Sequence, residues 1–328
     1  MLGIGLIGLG QHGSRYARHI VKDLTDARLV AVCQRSHAEG AKVAATYGCT
    51  FHNDYRDLVA DPNVQAVVVA VPPMLHPAIV DATCQAGKPL LIEKPLATSL
   101  AAAQSIARAV SVSGVRAMVA HTLRFDSTVQ TLWTHLPEIA PLHALYVSHR
   151  FEPARLAWLD RRAASGGGVV LHIGVHGFDL LRCLSGCEAT RVWCRTAQLI
   201  TRETEDSFAM NCQLSDPSLV AIVTGSRAMG GRASVVELAG ARGQLLADHV
   251  HGVVHLVRGS ERLSLPVLAP VPTVRETLRA FVGALREGTD FPISIEDGLR
   301  AVAVVDAAYR SADRGGEGAC VAGASLSI

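Results

Sequence analysis

Lysine is almost missing from this chain. Of 328 residues only Lys22, Lys42, Lys88 and Lys94 are lysine, although lysine and arginine together number 31. In a chain that so avoids lysine, one at a motif position is hard to dismiss as surface filler. No Cys-x-x-Cys pair occurs among the eight cysteines (Cys33, Cys49, Cys84, Cys183, Cys187, Cys194, Cys212 and Cys320), which excludes zinc ribbons and thioredoxin-type redox motifs. Most of them lie in apolar segments and read as buried thiols, a usage expected of a reducing compartment and hence of the cytoplasm. There is no basic stripe or tail and the net charge is only +2, so no nucleic-acid partner is expected. No apolar run approaches the roughly 20 residues of a membrane helix, and no membrane partner is expected. The apolar start, residues 2–9, lacks the basic segment that would precede it in a signal peptide.

What is present is length and apolar content enough for two domains. Residues 3–7, 28–33, 64–71, 89–93 and 115–120 are short and apolar and read as strands. Between them, residues 14–24, 37–47, 55–60, 77–86 and 99–113 have helical character. Residues 64–71 form a continuous valine and alanine run, the signature of a strand buried on both faces. This alternation predicts a doubly wound parallel sheet over residues 1–122. The pattern then changes. Helices are expected at 128–136, 166–184, 274–287 and 296–312, and 144–151 alternates. From 191 to 265 come short alternating stretches parted by glycine and proline turns, which read as an open, mostly antiparallel sheet. Residues 123–328 are therefore expected to form a second, α+β domain.

Gly8-Leu9-Gly10-Gln11-His12-Gly13 follows the first strand and opens the first helix. In that setting Gly8 permits the tight turn, Gly10 lets backbone approach a pyrophosphate, and Gly13 lets helix pack on strand. The N–H groups at the helix start then favour phosphate charge. The second strand ends in Gln34-Arg35-Ser36, where dinucleotide sites for NAD usually carry a carboxylate for the ribose. An arginine fork and a hydroxyl suit a 2′-phosphate better, so NADP(H) is favoured and NAD(H) remains possible.

Val71-Pro72-Pro73-Met74-Leu75-His76 and Glu93-Lys94-Pro95 close two further strands, at the carboxyl ends where parallel sheets bind ligands. Beside a cationic nicotinamide the ammonium of Lys94 would be disfavoured by like charge and desolvation, fitting it to bond a substrate hydroxyl or relay its proton. Its structural alternative is a salt bridge with Glu93. In the segment Gly166-Gly167-Gly168-Val169-Val170-Leu171-His172-Ile173-Gly174-Val175-His176-Gly177-Phe178-Asp179, a helix would put His172, His176 and Asp179 on one face. Two histidines four apart with a carboxylate could hold zinc, but no fourth ligand or His-Glu-x-x-His glutamate accompanies them, and no metal is expected.

The ordered set of glycine fingerprint, Glu-Lys-Pro, and a glycine-led helix with histidine and aspartate resembles the Gfo/Idh/MocA oxidoreductases, named for glucose–fructose oxidoreductase and inositol dehydrogenase. Ala86-Gly87-Lys88-Pro89, Arg124-Phe125, Asp297-Gly298 and Tyr309-Arg310-Ser311 extend the resemblance over nearly the whole chain. It implies a Rossmann domain followed by an α+β domain whose sheet buries one face against another subunit, in a homodimer or homotetramer. It implies Lys94 as catalytic lysine and His176 as proton donor or acceptor. Gly8, Gly10, Gln11, His12, Gly13, Val71, Pro72, His76, Glu93, Lys94 and Pro95 would line the cofactor, with Gln34, Arg35 and Ser36 at its adenosine end. His172, Asp179, Arg124 and Trp158 would bind a small sugar, inositol or related polyol. The chain departs from the family at His172, where many members have aspartate, and at Gln34, where an aspartate is common. The first departure bears on substrate class and on the polarity of the proton relay. Three activities are open: a reversible alcohol–ketone oxidoreductase, a redox-assisted glycosidase holding NAD tightly, and an NADP-binding sensor without chemistry.

Overall fold

A computed structural model describes residues 1–154 and 156–323, which divide into two units. The first comprises Met1–Thr122 and Pro272–Leu299; the second comprises Leu123–Val271 and the chain from Arg300 on.

The first unit is built on β1 (Leu2–Ile7), β2 (Ala27–Cys33), β3 (Thr50–His52), β4 (Ala66–Val69), β5 (Leu90–Glu93) and β6 (Ala117–Ala120). All pairings are parallel, in the order β3-β2-β1-β4-β5-β6. Helices α1 (Gln11–Asp23), α2 (His37–Tyr47), α3 (Tyr55–Ala60), α4 (His76–Gln85) and α5 (Leu100–Ser113) connect them. The order reverses between β1 and β4, and in a doubly wound sheet that is the crevice for a dinucleotide. The Ala66–Val69 strand is buried on both faces, which is why it needs apolar side chains at every position. Strand β3 escapes the sequence pattern because three edge residues, Thr50 exposed and Phe51 and His52 half-buried, are too few to show periodicity.

In the second unit a nine-stranded sheet runs β14-β13-β12-β11-β7-β10-β9-β8-β15. Its strands are β7 (Leu142–Arg150), β8 (Ala189–Ala197), β9 (Ser207–Leu214), β10 (Val220–Ser226) and β11 (Ala233–Gly240), then β12 (Gly243–Asp248), β13 (Val253–Arg258), β14 (Glu261–Leu265) and β15 (Ala319–Cys320). Pairing is antiparallel except between β7 and β10. One face, with Val147, Val223, Met210 and Leu238, is buried; α6 (Ser127–Ile139) packs against β12 and β13, and α8 (Val175–Ser185) against β7 and β10. Ahead of α8 lie a short α7 (Arg162–Ser165) and a π-helical turn, Val170–Gly174.

Two expectations need correction. The continuous stretch Arg162–Ser185 is long and apolar enough by composition to cross a membrane, contrary to the reading that no run approached that length, and 83% of its apolar window is buried inside the protein. Its many apolar side chains are covered by the protein around it. Secondly, residues 123–328 do not stay together. Helix α9 (Thr273–Glu287) packs against α1, with Arg286 2.7 Å from Asp26, and α10 (Ile295–Asp313) begins in the first unit. An amphipathic helix advertises a buried stripe but not the sheet it will cover.

Candidate active site

The glycine loop leaves β1 with Gly8 at φ +97°, a conformation side chains rarely adopt. Its N–H donates to Cys33 O at 2.9 Å. A Cβ on Gly8 would collide with Ala70 O, and one on Gly13 with Gly8 O, so these two glycines bring α1 close to β1 and β4. A Cβ on Gly10 would meet nothing within 4 Å. Open space therefore lies in front of the loop backbone. Helix α1 starts there with no side-chain cap and no acidic residue in its first turn, leaving its positive end to an anion. Gln11 and His12 are exposed at this mouth. These features fit a dinucleotide pyrophosphate.

Glu93 joins the two motifs. Its Oε1 accepts the Tyr16 hydroxyl of α1 at 2.8 Å and lies 3.9 Å from His12 Nδ1; its Oε2 accepts the Lys94 N–H at 3.1 Å. Burial, then the Glu93 charge and hydrogen bond, push the Tyr16 phenol well above its usual pKa, so it acts as a donor. Lys94, half-buried, is thus fixed beside the start of α1, while Pro95 is buried. His76 is a correction. It is fully buried, with Nδ1 3.0 Å from Leu96 O and Nε2 3.1 Å from Val71 O. Rather than lying open to a ligand, its ring sits between the Val71-Pro72 turn and the segment after Lys94. Burial pushes its pKa down, against the two carbonyls, which favour the charged ring.

At the end of β2, Ser36 Oγ is the cap of α2, accepting Glu39 N–H at 3.5 Å. The Gln34 amide donates to Glu39 Oε2 at 3.3 Å. Arg35 is exposed. The sequence pattern pointed to Arg35 and Ser36 but not to Glu39, although the Ser-x-x-Glu spacing marks a helix start here.

In the second unit the structure pairs the expected substrate residues with one another. Arg124 meets Asp179 in a fork, Nε to Oδ2 at 2.9 Å and Nη2 to Oδ1 at 2.6 Å, with the carboxylate side chain 2% exposed. Trp158 stands edge-on to His172, ring centres 5.8 Å apart, and His172 Nε2 is 3.2 Å from Ser165 O. His176, in the first turn of α8, is half-buried, whereas His172 and Asp179 are buried. The expected single helix over 166–184 is instead a bend at 166–168, the π turn and α8, because the glycines and the π turn break its phase.

Sequence reading missed His149. It is buried on β7, bonded through Nδ1 to Ser234 Oγ, with its ring 5.9 Å from that of His249. Its Cδ2 would lie 3.6 Å from a Cβ on Gly177, next to His176. The signal was available: Leu145, Val147 and His149 share the inward register of an alternating strand. Among the described residues no three histidine, cysteine or carboxylate side chains are grouped to hold a metal.

The chain matches two family models, the Gfo/Idh/MocA oxidoreductase NAD-binding Rossmann fold over residues 2–121 and the Gfo/Idh/MocA C-terminal domain over residues 138–246. It is 27% identical to an inositol 2-dehydrogenase of Rhizobium meliloti over 321 residues, 94% of this chain and 96% of that one. A myo-inositol 2-dehydrogenase of Thermotoga maritima is also 27% identical, over 94% of this chain and 95% of its own length. A crystal structure of a protein from Sinorhizobium meliloti 1021 superposes with a TM-score of 0.85 at 25% identity, covering 98% of this chain and all of that one. Further relatives carry NADP(+) or NAD(+) in their names. With both models matched in order, the chain belongs to the Gfo/Idh/MocA family of oxidoreductases, with an NAD-binding Rossmann domain.

Proposed function

We propose that this enzyme moves a hydride between a nicotinamide cofactor, NADP(H) in preference to NAD(H), and a carbinol or keto carbon of a sugar, inositol or related polyol. The observation that carries the reading is the Glu93 junction, which holds Lys94 against the helix start that suits a pyrophosphate. Gly8, Gly10, Gly13 and the first turn of α1 would hold the pyrophosphate, and Arg35 the 2′-phosphate. The bound nicotinamide supplies hydride exchange. Lys94 orients and polarises the substrate oxygen, and His176 takes or gives its proton as general base or acid. Trp158 and His172 present one aromatic pair to the substrate, and Arg124 with Asp179 hold α8 in place.

A screen of sugars, polyols and their keto forms with NADPH and NADH, followed at 340 nm, tests this. Stoichiometric cofactor turnover supports it. Net hydrolysis without turnover would put the redox-assisted glycosidase in its place, and NADPH binding with no conversion across the panel would leave a sensor. The cofactor preference has its own test. Arg35→Ala should raise KM for NADPH by about 10-fold, as loss of one exposed charge-assisted contact implies, with KM for NADH little changed. Equal effects on both would show that Arg35 does not read the 2′-phosphate. The Glu39 carboxylate beside Gln34 opposes that phosphate, so measurable NADH activity is expected in the parent enzyme.

The outer face of the large sheet carries the proposed homodimer or homotetramer interface. One row across it reads Trp193, Asn211, Ile222, Tyr146, Glu237 and Leu246, and Trp193 and Val220 are exposed. The aromatic and aliphatic side chains of this face ask for cover. Light scattering should give two or four times the 34.7 kDa chain mass; a monomer would contradict it. All eight cysteines are free, which supports a reducing compartment such as the cytoplasm.

A further inference from the structure

We infer that Glu205 and Tyr309 form a clamp that sets the aim of His176. Both are positioning residues, and the inference rests on His176 being the group that exchanges the substrate proton.

Glu205 lies between β8 and β9 and is buried. Its Oε1 accepts Gly168 N–H at 3.0 Å, Val170 N–H at 3.1 Å and the Tyr309 hydroxyl at 2.7 Å. Its backbone carbonyl accepts Val169 N–H at 2.9 Å, and the Tyr309 oxygen is 3.2 Å from Gly168 N. Three consecutive N–H groups at the start of the helical stretch therefore end on this pair. Such groups have no partner within a helix, and a carboxylate is the strongest acceptor available to them. Arg162 Nη2, 3.6 Å from Oε2, offsets the charge.

The socket admits only glycine. A Cβ on Gly167 would collide with the Tyr309 hydroxyl, and one on Gly168 with Glu205 O. The base of the clamp is also fixed. Asp160 accepts N–H groups of Arg202, Glu203 and Thr204 at 2.8–3.2 Å, and Asp206 those of Leu199, Ile200 and Thr201 at 2.7–3.1 Å. Directly after the gripped residues the chain winds the π turn Val170–Gly174 and then presents His176. A π turn shifts the phase of everything that follows it. Where it begins decides which way His176 faces, and the clamp grips at that point. The residues of the clamp named above all belong to the second unit, so cofactor affinity is predicted to be independent of the clamp.

The test compares His176→Ala, Glu205→Ala, Glu205→Gln and Tyr309→Phe in the full-length enzyme. Its readouts are NADPH affinity by fluorescence, kcat and KM on a substrate found in the screen, and the pH profile of kcat/KM. Glu205→Ala should lower kcat by about 10- to 100-fold, the range of a displaced proton-transfer group, with NADPH affinity unchanged. Glu205→Gln keeps an acceptor and should recover most of that loss. Its missing charge should still move the His176 limb of the pH profile to lower pH, by a fraction of a unit, because a buried carboxylate in the same unit favours the imidazolium. Tyr309→Phe should fall between Glu205→Gln and Glu205→Ala. If His176→Ala keeps its turnover, the reading beneath the clamp fails and takes the clamp with it. If His176→Ala is inactive while Glu205→Gln and Tyr309→Phe match the parent in kcat and pH profile, the clamp alone is overturned. Should Glu205→Ala not fold, those two milder variants decide it.

Discussion

Replacing Lys94 with alanine is expected to lower kcat by about 10²- to 10⁴-fold, the span of a lost proton-transfer or polarising group, with NADPH affinity within about two-fold of the parent. The two outcomes separate because different atoms carry them. In the proposed function the glycine loop and the start of α1 would seat the pyrophosphate and Arg35 would meet the adenosine end; neither needs the Lys94 side chain. The turn itself is held through the Lys94 N–H on Glu93 and by His76 between Val71 O and Leu96 O, all of which survive in the variant. Lys94→Arg should not restore turnover. A guanidinium is planar, longer and always charged, so it can neither occupy the same point nor pass on a proton. Stopped-flow hydride transfer and NADPH titration on the same preparation check both halves. A Lys94→Ala enzyme with parental turnover would remove Lys94 from the chemistry.

What the sequence disclosed and what it withheld follow from the range of the interactions. The glycine fingerprint was legible because its requirements are local: a turn at Gly8 and a close approach at Gly13 can each be met by only one residue type. The Val-rich β4 was legible because burial on both faces leaves no polar position. His76 shows the limit. Its place after a strand end marks it as part of the site, but whether the ring faces the crevice or the interior depends on two carbonyls, one of them 20 residues away. Asp179 shows it again, since its partner Arg124 is 55 residues distant. A polar stripe on an apolar helix reads equally well as a ligand site or as a set of anchors, and here Asp179 pairs with Arg124. The placing of α9 with the first unit, and of β7 in parallel beside β10, are likewise decided by packing between segments far apart in the chain.

The Arg124–Asp179 pair carries the largest expected effect on stability. Removing the guanidinium by Arg124→Ala takes away the group that both carboxylate oxygens meet, in a place where the carboxylate is 2% exposed. Breaking a buried pair from one side costs about 3–5 kcal/mol, much of it the burden of a charge that water cannot reach. For a unit of this size the unfolding midpoint should fall by about 6–15 °C, read by calorimetry with and without NADPH. Asp179→Asn should cost less, because an amide can stay hydrogen-bonded without carrying charge. The double variant Arg124→Met, Asp179→Leu should recover most of the loss, since apolar side chains of similar volume fill the space with nothing to desolvate. Should the double variant be as unstable as Arg124→Ala alone, the pair is not what holds α8 to the residues ahead of α6. Kinetics then decide between anchor and ligand. As an anchor, Asp179→Asn should leave KM for the substrate within about three-fold of the parent. A rise of 100-fold or more, about 2.7 kcal/mol, in a variant with near-parental stability would show that Asp179 leaves Arg124 to grip a substrate hydroxyl.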